Sequence, residues 1–459
     1  MTDLETPVAV PRAPTPRRAA PALLGYVAVH ALGLLALAVW SGARGKSAYT
    51  LLTARWDSLW YARVAEFGYG YKVRLPNGDV HSDLAFFPLL PWLERVLHAL
   101  TPLSYAGAGF TVSLLASLAA AWGIFAVADF VYGSRENGRA ARPWKGDGGR
   151  RVGVCAVLLW AVLPVGIVQS MAYSESLFTA LAAWSLYAVL TGRWLSAGTL
   201  AALAGLTRPV GLAVVAAVWT AGVVSFVRDR SGGARDSGEK RASGARYDGR
   251  APEPSSAARA RRVPRTTGAP RTTRAPRTTR TPHTASSAHA SGAPPWRRVL
   301  GMLLAPAGAA AYVLWVGHRT GRGPLGYLDV QAGWRNGFDG GYAFARFVAD
   351  KFASFPSALA GAGLIAAVCL LLWLYVIGVR QRQPLPLLVY TGVVLALALC
   401  ASSYFGSKPR LLMPAFPVLL PLARALARAR TSRSILVTAG VAVASAVYGA
   451  FWLNGSGPP

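Results

Sequence analysis

Long apolar runs, separated by short charged segments, dominate the chain from residue 22 onward. A run of about 20 apolar residues is long enough to cross the hydrocarbon core of a bilayer as a helix. The pattern predicts about eleven crossings, and we therefore expect an all-α polytopic membrane protein. The predicted helices are 22–41, 105–132, 152–171, 177–192, 195–206, 210–227, 299–317, 355–377, 385–403, 411–427 and 434–453.

Two polar stretches interrupt this pattern. Residues 42–104 include a proline-rich segment near their end, which favours short interfacial helices over a further span. Residues 228–298 repeat an Arg-, Pro- and Thr-rich unit, a composition that predicts disorder. We therefore expect a cytoplasmic tail at 1–20, a transmembrane module at 21–227 with a large first outer loop (42–104), a disordered cytoplasmic loop at 228–298 and a second transmembrane module at 299–459.

Composition and charge agree with a membrane protein. Hydrophobic residues make up 53% of the chain and charged residues 15%, whereas soluble domains have about 25% charged residues, so a soluble enzyme is excluded. The net charge is +29, but the arginines cluster between apolar runs, as the positive-inside rule predicts for a multi-pass protein of the cell membrane. Nucleic acid is therefore not expected as a partner, whereas membrane lipids are. The same rule places together on the extracytoplasmic face the segments 42–104, 172–176, 318–354 and 404–410.

The first outer loop carries the richest group of candidate residues. At helical spacing Asp57 and Tyr61 share a face, and Trp56 and Trp60 lie beside it. One interpretation is an interfacial aromatic belt, with Asp57 as a helix cap. The other is a carboxylate partly removed from water that acts as a general base.

Further carboxylates lie on the same predicted face. Asp79, His81 and Asp83 occupy alternate positions, but no additional ligand follows nearby, so solvated loop charges are favoured over a metal site. Glu175 stands at the outer mouth of two tightly joined spans. It can cap the following helix, take part in a site, or do both.

Three cations are candidates for binding a phosphate. Arg208 lies between two apolar runs, where a lone guanidinium is costly, and Pro209 breaks the helix beside it. A ligand phosphate is the favoured partner of Arg208, and an ion pair with Glu175 is the alternative. Lys408 and Arg410 begin a later span on the outer face, where they either bind phosphate or extend to lipid headgroups.

The segment around Gln331, with Trp334, is a weaker candidate for the floor of an outer cavity. The sequence contains no motif for nucleotide binding, zinc hydrolysis or metal-held nucleotide sugars. Its three cysteines lie singly in apolar runs. The sequence therefore predicts neither a metal nor a cofactor.

Four motifs, in chain order, resemble the GPI mannosyltransferase 2 (PIG-V-like) family of GT-C-fold integral-membrane glycosyltransferases. They are Trp56-Asp57 with Gly68-Tyr69 and the segment 85–91, the segment 172–178, the segment from Ala197-Gly198 to 207–211, and Pro409-Arg410. The family often has an acidic residue soon after the Gly-Tyr pair. Here Tyr71-Lys72 and a polar insert intervene, and Asp83 is the candidate substitute. The composition is typical of a high-GC bacterium, in which a GPI acceptor is not expected.

The resemblance implies a GT-C-like fold and transfer of a sugar, typically mannose. The donor would be polyprenyl-phosphate-linked, and the acceptor a lipid, glycan or protein on the extracytoplasmic face. Asp57 would act as the base of an inverting displacement. The donor phosphate would lie on Arg208, Arg410 and Lys408, and the substrate-binding residues would be Trp56, Tyr61, Asp83, Glu175 and Gln331.

Two alternatives to a transferase stay open. A polytopic transporter or lipid flippase is the first, although the sequence lacks the paired broken helices in repeated halves that transporters often show. A non-catalytic assembly subunit is the second, and a dispensable Asp57 would favour it.

Overall fold

The computed structural model describes residues 14–133, 148–244, 294–402 and 404–455. The helices of this part are α1 (Pro16–Ala43), α2 (Ala48–Thr53), α3 (Asp57–Phe67), α4 (Leu89–Leu100), α5 (Tyr105–Gly133), α6 (Gly148–Ala161), α7 (Ser174–Leu190), α8 (Trp194–Gly205), α9 (Leu212–Gly244), α10 (Pro295–Leu304), α11 (Ala307–Thr320), α12 (Gly326–Gly333), α13 (Tyr342–Asp350), α14 (Ser357–Arg380), α15 (Leu385–Cys400), α16 (Lys408–Leu412), α17 (Leu420–Arg428) and α18 (Thr431–Asn454). Two strands, β1 (Lys72–Arg74) and β2 (Val80–Ser82), pair antiparallel with Val73 opposite His81.

Six helical segments of the described residues are long and apolar enough to cross a membrane. They are α1, α5, Pro209–Ser231 at the start of α9, Pro295–Thr320 (α10 with α11), α14 and α18. The pair Phe405–Leu412 and Phe416–Arg428, bent by 73°, adds a seventh if it forms one span. The predicted class, an all-α polytopic membrane protein, is confirmed at this level.

Several predicted crossings are shorter than a full span. The helices α7, α8 and α15 have 17, 12 and 16 residues, and at 1.5 Å per residue they extend about 26, 18 and 24 Å. The hydrocarbon core is about 30 Å thick. A short α8 that meets the next helix at a polar break around Arg208 is as predicted. The count of eleven crossings stays a prediction.

The chain divides into two compact units. The described part of the smaller unit is 224–244, the end of α9. The predicted disordered loop 228–298 begins within α9, since 228–244 are helical in the structure. The first proline after α9 is Pro252, so nothing in the sequence of 228–244 forces the helix to end. The remainder of the predicted loop up to 293, and 1–13 of the predicted tail, lie outside the described residues.

The larger unit has a core where α5, α6 and α7 pack together, with α1 against α18 and α8 against α10. Trp160 and Phe178 are fully buried in this core. Small residues allow the closest approaches: a Cβ at Gly198 would collide with the carbonyl of Gly301, and one at Gly308 with the carbonyl of Ala202. The short α8 is therefore held by backbone contact with α10 and α11.

The segment predicted to be the first outer loop (42–104) folds into α2, α3, the hairpin of β1 and β2, and α4. Short helices in this region are as predicted. The loop is fastened to the helices around it, since Leu89 donates its N–H to the carbonyl of Leu206 (3.0 Å). The Tyr312 hydroxyl, on α11, lies 2.9 and 2.8 Å from the carbonyl oxygens of Leu84 and Phe86. These contacts hold the loop over the break between α8 and α9.

Candidate functional site

Four charged residues from separate parts of the chain meet beside this loop. Arg410 Nη1 lies 2.7 Å from Asp57 Oδ2, and Arg410 Nε lies 3.7 Å from Glu175 Oε1. Arg208 Nη1 pairs with the same oxygen of Glu175. Asp57, Glu175, Arg208 and Arg410 form what we call the charged cluster, in which two carboxylates balance two guanidinium groups.

Hydrogen bonds close the charged cluster into a ring that returns to α3. Arg208 Nη1 donates to Ser174 Oγ at 3.5 Å, and Ser174 Oγ lies 2.7 Å from the Tyr61 hydroxyl. Tyr61 lies one turn after Asp57 on α3, as the predicted shared face requires. Burial raises the pKa of the Tyr61 hydroxyl well above its ordinary value, so this group is a neutral hydrogen-bonding partner.

The members of the charged cluster differ in their access to solvent. The side chain of Glu175 is 1% exposed, those of Arg410 and Arg208 are 10% and 14% exposed, and that of Asp57 is 24% exposed. Buried charges are stable only when they are paired, and Glu175 supplies the pairing for both arginines. Asp57 is therefore the carboxylate that a reactant reaches most easily.

A strained backbone places Asp57. Trp56 adopts φ = 52°, a conformation that a bulky residue rarely takes and that costs about 1–3 kcal/mol. The Arg55 guanidinium lies 3.9 Å from the centre of the Trp56 ring and donates to the carbonyl of Leu453 at 2.8 Å. The Asp57 carboxylate contacts Arg410. Trp56 is the N-cap of α3, so Asp57 is the first residue of that helix. Asp57 therefore occupies the first turn, where the helix dipole favours its charge.

A helix break places Arg410. The short α16 ends just after Arg410, and the next helical segment starts at Phe416. Trp160 Nε1 donates to the carbonyl of Met413 (3.1 Å), and the Tyr390 hydroxyl donates to that of Pro414 (3.0 Å). These bonds satisfy carbonyls that the break frees.

A second break places Arg208. It lies between α8 and the 3-10 turn Pro209–Gly211, and its pair with Glu175 is the alternative that the sequence left open. Glu175 lies in the first turn of α7, where the dipole favours a carboxylate. In the structure Glu175 therefore lies both at a helix start and in the charged cluster, and its part in a functional site stays a prediction.

Aromatic rings form a wall next to Tyr61. Trp60 and Phe86 stack with ring centroids 5.5 Å apart, and Trp334 makes a T-shaped contact with Trp60 at 5.0 Å. His81 stacks on Trp334 at 4.0 Å, and Phe86 meets Tyr61 at 5.2 Å. We call Trp60, His81, Phe86 and Trp334 the aromatic wall. It joins the first outer loop to the segment that the sequence proposed as a cavity floor.

Three predicted site residues make other contacts. The Lys408 ammonium donates to the carbonyls of Ala398 (2.9 Å) and Ala401 (2.7 Å) at the end of α15. Asp83 is buried, and its Oδ2 accepts the N–H groups of Gly70 and Tyr71, both at 2.8 Å. Gln331 contacts Tyr327 and Asn336. Within the described ranges, none of these bonds reaches the charged cluster. The binding roles of Lys408, Asp83 and Gln331 stay predictions.

The described residues contain no group of three or more His, Cys, Asp or Glu side chains that could hold a metal ion. In the alternating segment, Asp79 Oδ2 pairs with Arg335 Nε at 2.6 Å, and His81 is stacked in the aromatic wall. Asp83 is tied to the loop backbone. Asp79, His81 and Asp83 therefore have different partners and do not converge on one site.

Sequence reasoning did not single out Ser174 as the link between Arg208 and Tyr61, or Phe86 with Trp334 as a wall. The local signal for Ser174 was its position at a helix start, which predicts only a cap. The contact between Phe86 and Trp334 joins distant segments, so no spacing rule reports it. Both are products of tertiary packing.

Comparison of the chain with models of known protein families, with curated proteins and with solved structures finds no match. The class that the fold itself defines is a polytopic helical membrane protein, here with a largely buried charged cluster. The resemblance to the PIG-V-like family stays a prediction.

Proposed function

We propose that the charged cluster is the active centre of a membrane glycosyltransferase of GT-C-like fold with about eleven crossings. The enzyme takes a sugar, mannose being the first candidate, from a polyprenyl-phosphate-linked donor on the extracytoplasmic face of the cell membrane. It passes the sugar to a lipid, glycan or protein acceptor. The observation that supports this proposal is the contact of Asp57 with Arg410 beside Arg208. It pairs a partly exposed carboxylate, suited to be a base, with guanidinium groups suited to hold phosphate.

The proposed reaction is an inverting displacement. Asp57 accepts the proton of the acceptor hydroxyl, whose oxygen forms the new bond to the anomeric carbon as the bond from that carbon to the phosphate oxygen breaks. The donor phosphodiester carries one negative charge, and the departing phosphate monoester gains a second. Asp57 loses its charge in the same step, so the total charge of the site does not change.

This exchange of charge gives Arg410 a specific role. Its closest anionic partner in the cluster is Asp57, and that partner becomes neutral as negative charge grows on the phosphate. Arg410 then stabilises the leaving group in place of the carboxylate. Glu175 keeps its charge and holds both guanidinium groups in place, which makes it a positioning residue.

The aromatic wall supports the sugar part of the proposal. Rings such as those of Trp60 and Trp334 offer flat apolar faces with polar groups at their edges, and the C–H faces of a hexose pack on surfaces of this kind. The wall adjoins Tyr61, one turn from Asp57. A sugar packed there would lie beside the proposed base.

Membranes that contain the protein, incubated with labelled polyprenyl-phosphate mannose, test the proposal. We expect label to enter a lipid, glycan or protein product, and Asp57→Asn to reduce the rate by about 10²–10⁴, the contribution of a general base. Donor binding should be retained. The matched control is Asp329→Asn. The Asp329 side chain is 51% exposed, and among the described residues its ion pair is with Arg322, 3.4 Å away at the surface.

Near-normal turnover of Asp57→Asn would remove Asp57 from the mechanism. A wild-type chain that moved labelled donor across the membrane and formed no product would instead favour the transporter or flippase. The two outcomes are distinguished by the chemical form of the label.

A further inference from the structure

A cleft separate from the charged cluster opens between α1, α6 and α18. Its volume is about 520 Å³, within the range of roughly 300–1,000 Å³ for small-molecule sites. Its walls are largely apolar and include Val29, Leu158, Ile435, Ala439 and Ala442. In a protein of the bilayer, an apolar cleft between helices has hydrocarbon chains as its natural occupants.

Positive charge marks one end of this cleft. Arg150 and Arg151, at the start of α6, belong to its lining. Arg151 Nη2 lies 3.4 Å from Thr431 Oγ1 at the start of α18, and Arg430 and Arg433 flank that helix start. A cleft with guanidinium groups at one end and apolar walls beyond has the charge pattern that complements an anionic lipid.

The cleft and the charged cluster lie at opposite ends of α18. Thr431, the first residue of α18, lines the cleft, whereas the carbonyl of Leu453, near its last turn, accepts a bond from Arg55 beside Asp57. The 24 residues of α18 extend about 36 Å. The two sites therefore face different leaflets, and the cleft is not the place where the proposed donor reacts.

We propose that this cleft binds an acyl chain of one anionic phospholipid, with the lipid phosphate beside Arg150 and Arg151. The leaflet is the one that the arginine-rich loops face, which the positive-inside rule makes cytoplasmic. The bound lipid fills the space between α1, α6 and α18. This inference does not depend on the proposed transferase activity.

Native mass spectrometry of the purified full chain, after exchange into detergent with equal amounts of phosphatidylglycerol and phosphatidylcholine, tests the proposal. We expect one phosphatidylglycerol to be retained in preference to phosphatidylcholine. Each arginine near a lipid surface strengthens the binding of an anionic lipid about five-fold, so the two arginines together should give a preference of about 25-fold. The double variant Arg150→Ala/Arg151→Ala should lose most of it, and Arg380→Ala, on the exposed end of α14, should keep it.

A variant that fills the cleft provides an independent test. Ala439→Phe places a ring in the cleft, whereas Ala444→Phe places one on the exposed part of the same helix outside the cleft lining. Loss of the retained lipid in Ala439→Phe but not in Ala444→Phe supports the proposal. Two results overturn it. One is equal retention of phosphatidylglycerol by Ala439→Phe and Ala444→Phe. The other is a wild-type preference for phosphatidylglycerol over phosphatidylcholine that is absent or that the double arginine variant keeps.

Discussion

Replacing the two carboxylates of the charged cluster one at a time should separate stability from activity. Glu175→Gln removes the charge that faces both Arg208 and Arg410, and it does so at a side chain that is 1% exposed. Asp57→Asn removes a charge that faces Arg410 alone, at a side chain that is 24% exposed. The two substitutions are chemically matched, so differences between them report the surroundings.

The expected magnitudes differ by a factor of about three or more. In Glu175→Gln, Arg208 keeps no anionic partner among the ion pairs recorded for the described residues, and an uncompensated buried charge costs about 3–5 kcal/mol. In Asp57→Asn, Arg410 still faces Glu175, and a partly exposed pair contributes up to about 1 kcal/mol. We therefore expect Glu175→Gln to lower the free energy of unfolding much more than Asp57→Asn does.

Thermal unfolding of the two variants in the same detergent measures the stability difference, and the transfer assay measures activity per folded molecule. Asp57→Asn should lose activity by about 10²–10⁴ while its unfolding midpoint stays close to that of the wild type. Asp329→Asn, at an exposed ion pair, should change neither quantity. If Asp57→Asn were destabilised as much as Glu175→Gln, the assignment of Glu175 as the central structural charge would be refuted.

Three further substitutions test other features of the fold. Lys408→Met should lower the thermal midpoint, because the ammonium bonds two carbonyls at the end of α15 and such charged bonds contribute about 1.5–3 kcal/mol each; an unchanged midpoint would contradict this role. Burial raises the pKa of Glu94 well above 4.5. The protonated side chain therefore stabilises the fold fully below about pH 4.5, and this stabilisation is lost as the pH rises through the pKa of the folded state. Glu94→Gln should therefore raise the midpoint more at about pH 8 than at about pH 5, and equal rises would exclude a buried neutral acid. Gly308→Ala should destabilise the fold by about 1–3 kcal/mol through collision with the carbonyl of Ala202, whereas Gly33→Ala, with nothing within 4 Å, should be tolerated.

The sequence singled out the charged residues of the cluster, but of their contacts it offered only the pair of Arg208 with Glu175, as an alternative. Arg208 stands out in the sequence because a charge between apolar runs is costly. Asp57 stands out by its aromatic neighbours, and Glu175 and Arg410 by their places at predicted ends of spans. These local signals identify the residues and leave most of their partners open. The partners depend on how α3, α7 and the two helix breaks approach each other, which is decided by packing across the whole bundle.

Lys408 shows the limit of the same rule. The sequence groups it with Arg410 because both are cations at the start of a predicted span. In the structure the ammonium turns to the end of α15 and lies 5.1 Å from the centre of the Phe344 ring, while Arg410 turns to the carboxylates. The two residues differ by the position of their side chains on a five-residue helix, and no sequence pattern reports that difference.

Hydrophobic patterning predicted the long helices well because length and apolarity are local properties. The segments α1, α5, α14 and α18 lie close to the predicted spans. At 228–244 composition predicts disorder, whereas the structure continues α9 as a helix. Composition measures whether a segment can bury apolar surface, and a helix that continues from an apolar span does not need to do so on its own.

Interrupted helices connect the fold to the site. Asp57 follows the strained residue before α3, Arg208 precedes a 3-10 turn, and Arg410 lies just before the bend after α16. A continuous helix satisfies its own backbone and carries side chains outward at fixed intervals, whereas a break exposes backbone groups and redirects the next side chain. The bundle can provide inward-facing charges at one end because its helices are interrupted there. Pro209 opens the 3-10 turn directly after Arg208, and Pro409 lies in the first turn of α16 beside Arg410. The breaks are therefore the structural reason why a largely apolar chain can assemble a polar centre.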